Sequence, residues 1–483
     1  MYDVTIIGCG ICGASIAYAL SHYDLSVLVL EKENDIAEGA TKANSGIVHA
    51  GYDPLPGTLM AKLNCEGAAR MESLCKEFGI SYTRCGSMVL AFNENEDGIV
   101  RELLARGIQN GLTNLTLLSR EAVREEEPLV SKDVTSALYA PTAAVILPWE
   151  LCLAFIRNAM TNGVTLMRSQ EVVSISKNAT DHYVVGTASD SFTSRYVINA
   201  AGIQSDKIHN MLSTPDFTIT PSRGEYALFD KNNHTPVKHI LFQCPSALGK
   251  GVLVAPTVHG NLIVGPTNTR TKDREDVSTS TSDQEYIQDC ARKTLPDIRF
   301  RDNIRSFSGL RANSTVSDFV IRVCEDAPRL IDVAGIRSPG LASSPAIGDY
   351  VVNLLSSAGL SLKPKESYQK APIPIRFQSL SDDARAELVA RDPRYGRILC
   401  RCETVSEGEI LDTIKDILPP ASIDAIKRQS GAGLGRCQGG FCGPKILMLL
   451  ARETGLDPTE ILQDMTGSNI LSCRTKEEID EKL

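Results

Sequence analysis

The chain has 483 residues, 42% of them hydrophobic, and a net charge of −9 with acidic and basic residues interspersed; such a length carries about two to four domains. It holds no basic block or aromatic–basic stripe, which sets nucleic acid aside as a partner. No apolar run approaches the ~18 residues of a membrane-spanning helix, the N-terminus enters a strand at once and leaves no room for a signal peptide, and the fourteen cysteines point to a reducing, cytoplasmic setting with buried or metal-bound thiols.

Val4-Thr5-Ile6-Ile7 is an apolar, β-branched run, and Gly8-Cys9-Gly10-Ile11-Cys12-Gly13 follows it directly. A helical pattern then runs to about Ser21, and a second strand-like run, Ser26 to Leu30, ends at Glu31. In such a unit the first glycine permits a tight turn, the second lets backbone approach a pyrophosphate, and the third lets helix and strand pack closely. The helix N-terminus offers unpaired N–H groups and a partial positive charge. An acid about 20 residues further on reaches a ribose hydroxyl. Gly8, Gly10, Gly13 and Glu31 therefore predict a dinucleotide site. Cys9 and Cys12 lie inside the phosphate turn, where a disulfide would strain the helix start, and are read as packing.

Residues 40–51, Ala40 to Gly51, are small and glycine-containing, a composition suited to a loop wrapped around a ligand. Apolar spacing predicts a helix from Leu59 to Phe78 and another from Pro148 to Met160. Strand-like runs at Ser87–Phe92 and Ala137–Ala140 bracket a charged helical region, and Val164 to Ile175 reads as strand. Thr193 to Gly202 is a strand closing on small residues, which belongs beside a cofactor. From Phe217 to about Phe307 the pattern is mainly strands and turns. Leu330 to Gly335 is strand again, followed by a helix from Ile347 to Leu355. The nucleotide domain is thus expected in pieces, about 1–85, 140–215 and 325–360, with a cap from 86–139 and 216–324. Residues 364–397, proline-rich at their start, read as a linker, and 398–483 as a separate small domain.

Several strings together resemble one family. The glycine fingerprint, Asn44-Ser45-Gly46-Ile47-Val48-His49-Ala50-Gly51, Val197-Ile198-Asn199-Ala200-Ala201-Gly202 and Ala334-Gly335-Ile336-Arg337-Ser338-Pro339-Gly340 are similar to those of the FAD-dependent D-amino-acid-oxidase superfamily. With Arg223-Gly224-Glu225-Tyr226 and Gly309-Leu310-Arg311-Ala312, the chain resembles its glycerol-3-phosphate dehydrogenase/oxidase and L-2-hydroxyglutarate dehydrogenase group over about residues 1–360. The resemblance implies an α/β fold: a Rossmann-type FAD-binding domain with a β-rich substrate-capping domain. It implies FAD contacts at Thr41, Asn44, Ser45, Gly46, Val172, Ala201, Gly202, Gly335, Gly340 and Leu341. Substrate contacts are expected at Lys42, His259, Arg311 and Ser338, with Arg337 beside them in the closing turn. His49 is either the base that takes the substrate hydroxyl proton or a histidine that orients the flavin. Arg311 is expected to pair bidentately with a carboxylate or phosphate.

The C-terminal region carries Cys400-Arg401-Cys402 and Cys437-Gln438-Gly439-Gly440-Phe441-Cys442. Four thiolates satisfy two bridged irons, and the neighbouring glycines let backbone N–H groups approach sulfur. The region resembles the bacterioferritin-associated-ferredoxin type of small, α-helical [2Fe–2S] domain. Zinc is the other reading, although four-thiolate zinc sites favour two to four residues between paired cysteines. A cluster acts as a wire, so the resemblance implies a dehydrogenase of glycerol 3-phosphate or a similar 2-hydroxy acid. Its electrons would leave through flavin and cluster to an electron-accepting protein subunit, which would also provide any peripheral membrane attachment. The alternatives are an amine or amino-acid dehydrogenase of the same superfamily and a non-catalytic flavin/iron–sulfur electron-transfer subunit.

Overall fold

The N-terminal apolar run, Tyr2–Ile7, lies in the middle of an eight-stranded sheet in the computed structural model, which describes residues 1–245 and 251–475. It pairs in parallel with Val27–Leu30 on one side and Ser191–Asn199 on the other. Thr165–Met167 and Leu330–Ala334 extend the parallel part. All of Val27–Leu30 and Leu330–Ala334 is buried, because parallel strands covered on both faces need unbroken apolar runs. The single strand expected at 164–175 is two: the chain turns at Ser169 (φ 55°), and Thr165–Met167 and Val172–Lys177 take different places in the sheet.

Three helices pack at close range beside this sheet. A Cβ on Gly67 of Leu59–Phe78 would stand 2.2 Å from the Ala342 carbonyl oxygen, and one on Gly348 2.7 Å from Ser15 Oγ. Ser15 Oγ also donates to the Ser344 carbonyl at 2.6 Å. Helix Gly340–Ser357 is thereby locked to both Ile11–Leu20 and Leu59–Phe78.

A second sheet has nine strands. Ser87–Ala91, Thr116–Ser119 and Ser136–Ala140 join the strands of 216–324 through parallel pairing of Ser87–Ala91 with Ile240–Gln243. Its longest pair is antiparallel, Ile219–Phe229 with Asn303–Ser314, and the register sets Gly224 opposite Gly309, Ser222 opposite Arg311 and Tyr226 opposite Phe307. One element departs from the strand-and-turn expectation: Thr281–Thr294 is a helix. Only Ile287, Ala291 and Thr294 of it are buried, so its apolar stripe is thin, but Ser280 caps it by accepting from the Asp283 N–H. The Ser-x-x-Asp spacing was the available signal.

By packing, the chain divides into two units, Met1–Glu31 with Ala37–Ala371, and Lys32–Ile36 with Pro372–Leu483. Both sheets belong to the first. In the second, a short hairpin (Ile398–Cys400 with Val405–Ser406) precedes helices Glu407–Ile414, Ile423–Ser430 and Gly443–Thr454 around a core that includes Ile410, Ile426, Ile446 and Leu450. Arg428 binds this unit together by pairing with Asp35 at 2.8 Å and Asp464 at 3.1 Å. The linker expected at 364–397 is corrected from Pro372 onward: helix Asp382–Arg391 packs Leu388 against Phe377 and Tyr395. Proline density marked where regular structure pauses, and the three apolar side chains decided where packing resumes. Residues 476–483 of the small domain lie outside the described residues.

Candidate active site and cluster site

Glycine is required in the phosphate turn by geometry. Gly8 sits at φ 99°, and a Cβ there would approach the Ala200 carbonyl oxygen to 2.6 Å; one on Gly13 would lie 2.0 Å from the Gly8 carbonyl oxygen. Gly10 caps helix Ile11–Leu20 with extended backbone. Its first turn presents the Ile11 N–H to Thr41 Oγ1 at 2.9 Å. Glu31, buried at the end of its strand, accepts from the Cys9 N–H at 2.7 Å. Ala201 and Gly202 begin the turn beyond Ser191–Asn199, with the Ala201 Cα against Gly8. A backbone cradle, a helix N-terminus and a strand-end acid are thus assembled, and they fit a dinucleotide. Burial pushes the Cys12 thiol up to about 12, and all fourteen cysteines are unbridged, in keeping with Cys9 and Cys12 as packing.

A Gly13→Ala chain is expected to lose about 1–3 kcal/mol of stability to overpacking and to leave gel filtration with reduced flavin content. The absorbance ratio at flavin and protein wavelengths reads this, and full flavin content at an unchanged Tm would refute it.

The 41–49 loop runs from the cradle into the face of the second sheet. Asn44 ties it internally: Nδ2 donates to the Ala40 and Thr41 carbonyls at 3.0 Å, and Oδ1 accepts from the Gly46 N–H at 2.8 Å. Gly46 has φ 67°, and a Cβ there would stand 2.3 Å from the Ile146 carbonyl oxygen. The next two residues, Ile47–Val48, are a strand paired with Ala144–Ile146, where the sequence suggested only loop. Lys42 is held against the buried Glu38 carboxylate. Val172 starts a strand at the sheet's antiparallel edge, with its side chain in the core.

The pairing of Gly224 with Gly309 leaves a bare patch on the second sheet. Two groups fill it. A Cβ on Gly309 would meet the Ala43 carbonyl oxygen at 2.4 Å, so the loop crosses there, and one on Gly224 would meet Arg311 Nη2 at 2.4 Å, so the guanidinium lies across it. The buried Tyr226 hydroxyl faces both Ser45 and Arg311, and its ring stacks on Phe307 at 5.0 Å. Arg311 Nη1 is buried and has no hydrogen-bond partner among the described residues. A charged donor in that condition suits an anionic ligand.

His49 and Ser338, remote in sequence, meet: Ser338 Oγ and His49 Nε2 are 3.0 Å apart. The imidazole stacks on Phe242, and the His49 carbonyl accepts from Asn64 Nδ2 at 2.9 Å, so ring and backbone are both held. Gly335 (φ 65°) turns the chain out of Leu330–Ala334, and Gly340 and Leu341 are the first residues of helix Gly340–Ser357. Arg337 donates to the Ser317 carbonyl at 3.0 Å. His259 lies in the hairpin turn between Leu253–Pro256 and Leu262–Gly265. Sequence reasoning passed over Tyr226 as a site residue, although it closes the Arg-Gly-Glu-Tyr string.

In the second unit the four cysteines form two pairs. Cys402 Sγ and Cys437 Sγ are 3.7 Å apart, and the Cys442 thiol donates to Cys400, pulling the Cys400 thiol down to about 6. Two thiolates on one tetrahedral metal with ~2.3 Å bonds stand about 3.8 Å apart. Among the described residues no three of these sulfurs gather within 4.8 Å, whereas a single zinc would draw all four together. Two pairs fit two bridged irons. The N–H groups of Gly433 and Glu403 point at the Cys400 sulfur, and those of Phe441 and Gly439 at Cys437; such donors stabilise thiolate and tune a cluster.

Comparison with known proteins agrees with both sites. Residues 3–354 match the family model for FAD dependent oxidoreductases, and residues 398–452 match the BFD-like [2Fe–2S] binding domain. The chain belongs to the FAD dependent oxidoreductase family and carries a BFD-like [2Fe–2S] binding domain at its C-terminal end. Among its relatives is the glycerol 3-phosphate dehydrogenase of Caloramator mitchellensis, 45% identical over 481 residues, which are 99% of this chain and 100% of that protein. The glycerol 3-phosphate oxidase of Mycoplasma pneumoniae is 33% identical over 73% of this chain and 94% of its own length. The structure of dithionite-reduced L-α-glycerophosphate oxidase from Mycoplasma pneumoniae with FAD bound superposes with a TM-score of 0.73 at 30% identity, covering 77% of this chain and 98% of that one. Glycine oxidase from Bacillus cereus shares the fold, with a TM-score of 0.64 at 24% identity over 75% of this chain and 99% of that one.

Proposed function

We propose that this oxidoreductase is a glycerol 3-phosphate dehydrogenase that forms dihydroxyacetone phosphate and hands its electrons to an external acceptor protein. The observation that carries the reading is the buried Nη1 of Arg311, partnerless among the described residues, a donor for an anionic group on a sheet face that the 41–49 loop crosses. A relative that runs through both the catalytic region and the four-cysteine region is a glycerol 3-phosphate dehydrogenase, which supports the phosphate as that anion.

When bound, FAD supplies the hydride acceptor and the [2Fe–2S] cluster an outlet for single electrons. Glu31 and the Gly8–Gly13 turn hold the nucleotide portion. Arg311 grips the substrate phosphate with its fork of N–H donors and so orients the secondary alcohol. His49 Nε2 meets Ser338 Oγ in the free site. Once the substrate hydroxyl displaces Ser338 from its lone pair, Nε2 takes the hydroxyl proton as the carbon–hydrogen bond breaks, while the Phe242 ring holds the imidazole in place. Fourteen unbridged cysteines support a reducing, cytoplasmic compartment as the setting of this reading. Among the described residues no helix is long and apolar enough to cross a membrane.

Anaerobic titration of the purified protein with glycerol 3-phosphate tests the substrate. Flavin bleaching followed by loss of the broad cluster absorbance is the expected result. Bleaching by L-2-hydroxyglutarate or an amino acid in its place would replace the substrate, and no bleaching by any donor would leave an electron-transfer subunit.

A further inference from the structure

We propose that the solvent-facing edge of the four-cysteine site, together with Phe441, Lys445 and Met448 beside it, is the docking surface for an acidic one-electron carrier protein. The proposal rests on Cys400, Cys402, Cys437 and Cys442 holding a cluster. Cys400 and Cys442 are buried, whereas Cys402 is exposed and Cys437 half-buried, so the site has one inner edge and one edge open to solvent.

The segment after Cys442 explains what stands beside that open edge. Helix Gly443–Thr454 buries Ile446, Leu447, Leu449, Leu450 and Ala451 in the core of its own unit. Lys445 and Met448, three residues apart, share one face of this helix, on the side away from that core, and Phe441 stands just ahead of the helix N-terminus. Phe441 is 81% exposed and Met448 56% exposed. Phe441 lies between two ligand cysteines in sequence, where its backbone N–H points at the Cys437 sulfur. The backbone contact holds for any residue, so nothing in the unit's packing among the described residues calls for an aromatic ring there.

Charge names the partner. Arg401 and Arg436, each adjacent to a ligand cysteine, and Lys445 are all exposed. The one acid within 399–404 and 433–445 is Glu403, which is buried. A chain of net charge −9 therefore gathers positive charge around the open edge, which steers a negatively charged protein to it. An aromatic and a methionine with a charged rim have the composition of an interface, and a patch this small suits the short-lived complexes of electron transfer. Each substrate oxidised releases two electrons. The carrier accepts one per encounter, so two carriers are reduced per turnover, and the substrate's protons pass to solvent.

The test uses the full chain with flavin and cluster loaded, immobilised for biolayer interferometry against an acidic flavodoxin, with a basic cytochrome c as the opposite probe. Flavodoxin is expected to bind with an affinity that falls as salt rises. Lys445→Glu and Met448→Ser are each expected to weaken it about tenfold, with absorbance spectra and anaerobic bleaching by glycerol 3-phosphate unchanged. Wild-type affinity in both variants, preference for cytochrome c, or Met448-dependent binding to a second copy or to anionic vesicles instead of flavodoxin would overturn the proposal while leaving the cluster intact. Absence of cluster absorbance in the wild-type protein would remove the cluster reading itself, and this proposal with it.

Discussion

A His49→Asn protein is expected to bind FAD and glycerol 3-phosphate normally and to bleach its flavin about 10²–10⁴-fold more slowly, the usual contribution of a positioned general base. The argument is geometric. The imidazole is fixed by stacking on Phe242 and by Ser338 Oγ at Nε2, and its backbone carbonyl is tied to Asn64. Asparagine keeps a polar group of similar reach but cannot accept a proton near neutral pH. Stopped-flow reduction without oxygen isolates the chemical step from any later electron exit. Ser338→Ala should give a much smaller loss, because it removes only the group that orients the ring. Undiminished reduction by the asparagine variant would make His49 a flavin-orienting residue and leave the proton to another acceptor.

Arg311→Ala is expected to lower kcat/KM for glycerol 3-phosphate by about 10²–10³-fold, within the range of about 2–5 kcal/mol for truncating one member of a buried, hydrogen-bonded charge pair. The guanidinium lies across Gly224 beside the Tyr226 hydroxyl, and its buried Nη1, without a hydrogen-bond partner among the described residues, gains one when an anion arrives. Lysine should restore little: an ammonium is a point charge without the planar fork, and the bare patch at Gly224 is shaped for a flat group. Comparing glycerol 3-phosphate with glycerol is the decisive control. Loss confined to the phosphorylated substrate identifies an anion contact, whereas equal loss for both would make Arg311 a structural residue of the sheet.

Elements whose cause is local were legible in the residues alone. Glycine spacing between two apolar runs specified the nucleotide turn, because part of the constraint is local: Gly8 takes a positive φ and Gly13 packs against the Gly8 carbonyl. Apolar periodicity marked Leu59–Phe78 to the residue, since its caps, Thr58 and Gly79, carry their own backbone preferences. Cysteine spacing likewise announced a four-thiolate site. Tertiary structure alone decided what depends on register and distance. His49 and Ser338 come within hydrogen-bond reach across 289 residues. Arg311 acquires its patch because strand register, not local sequence, sets Gly224 opposite Gly309. The helix Thr281–Thr294, whose buried stripe is only three residues, and the folded stretch after Pro372 were hidden because a few buried side chains hold each of them. The division of the four sulfurs into two pairs, one of them facing solvent, was beyond the sequence for the same reason: spacing counts ligands along the chain, whereas metal number and electron exit depend on where the sulfurs stand in space.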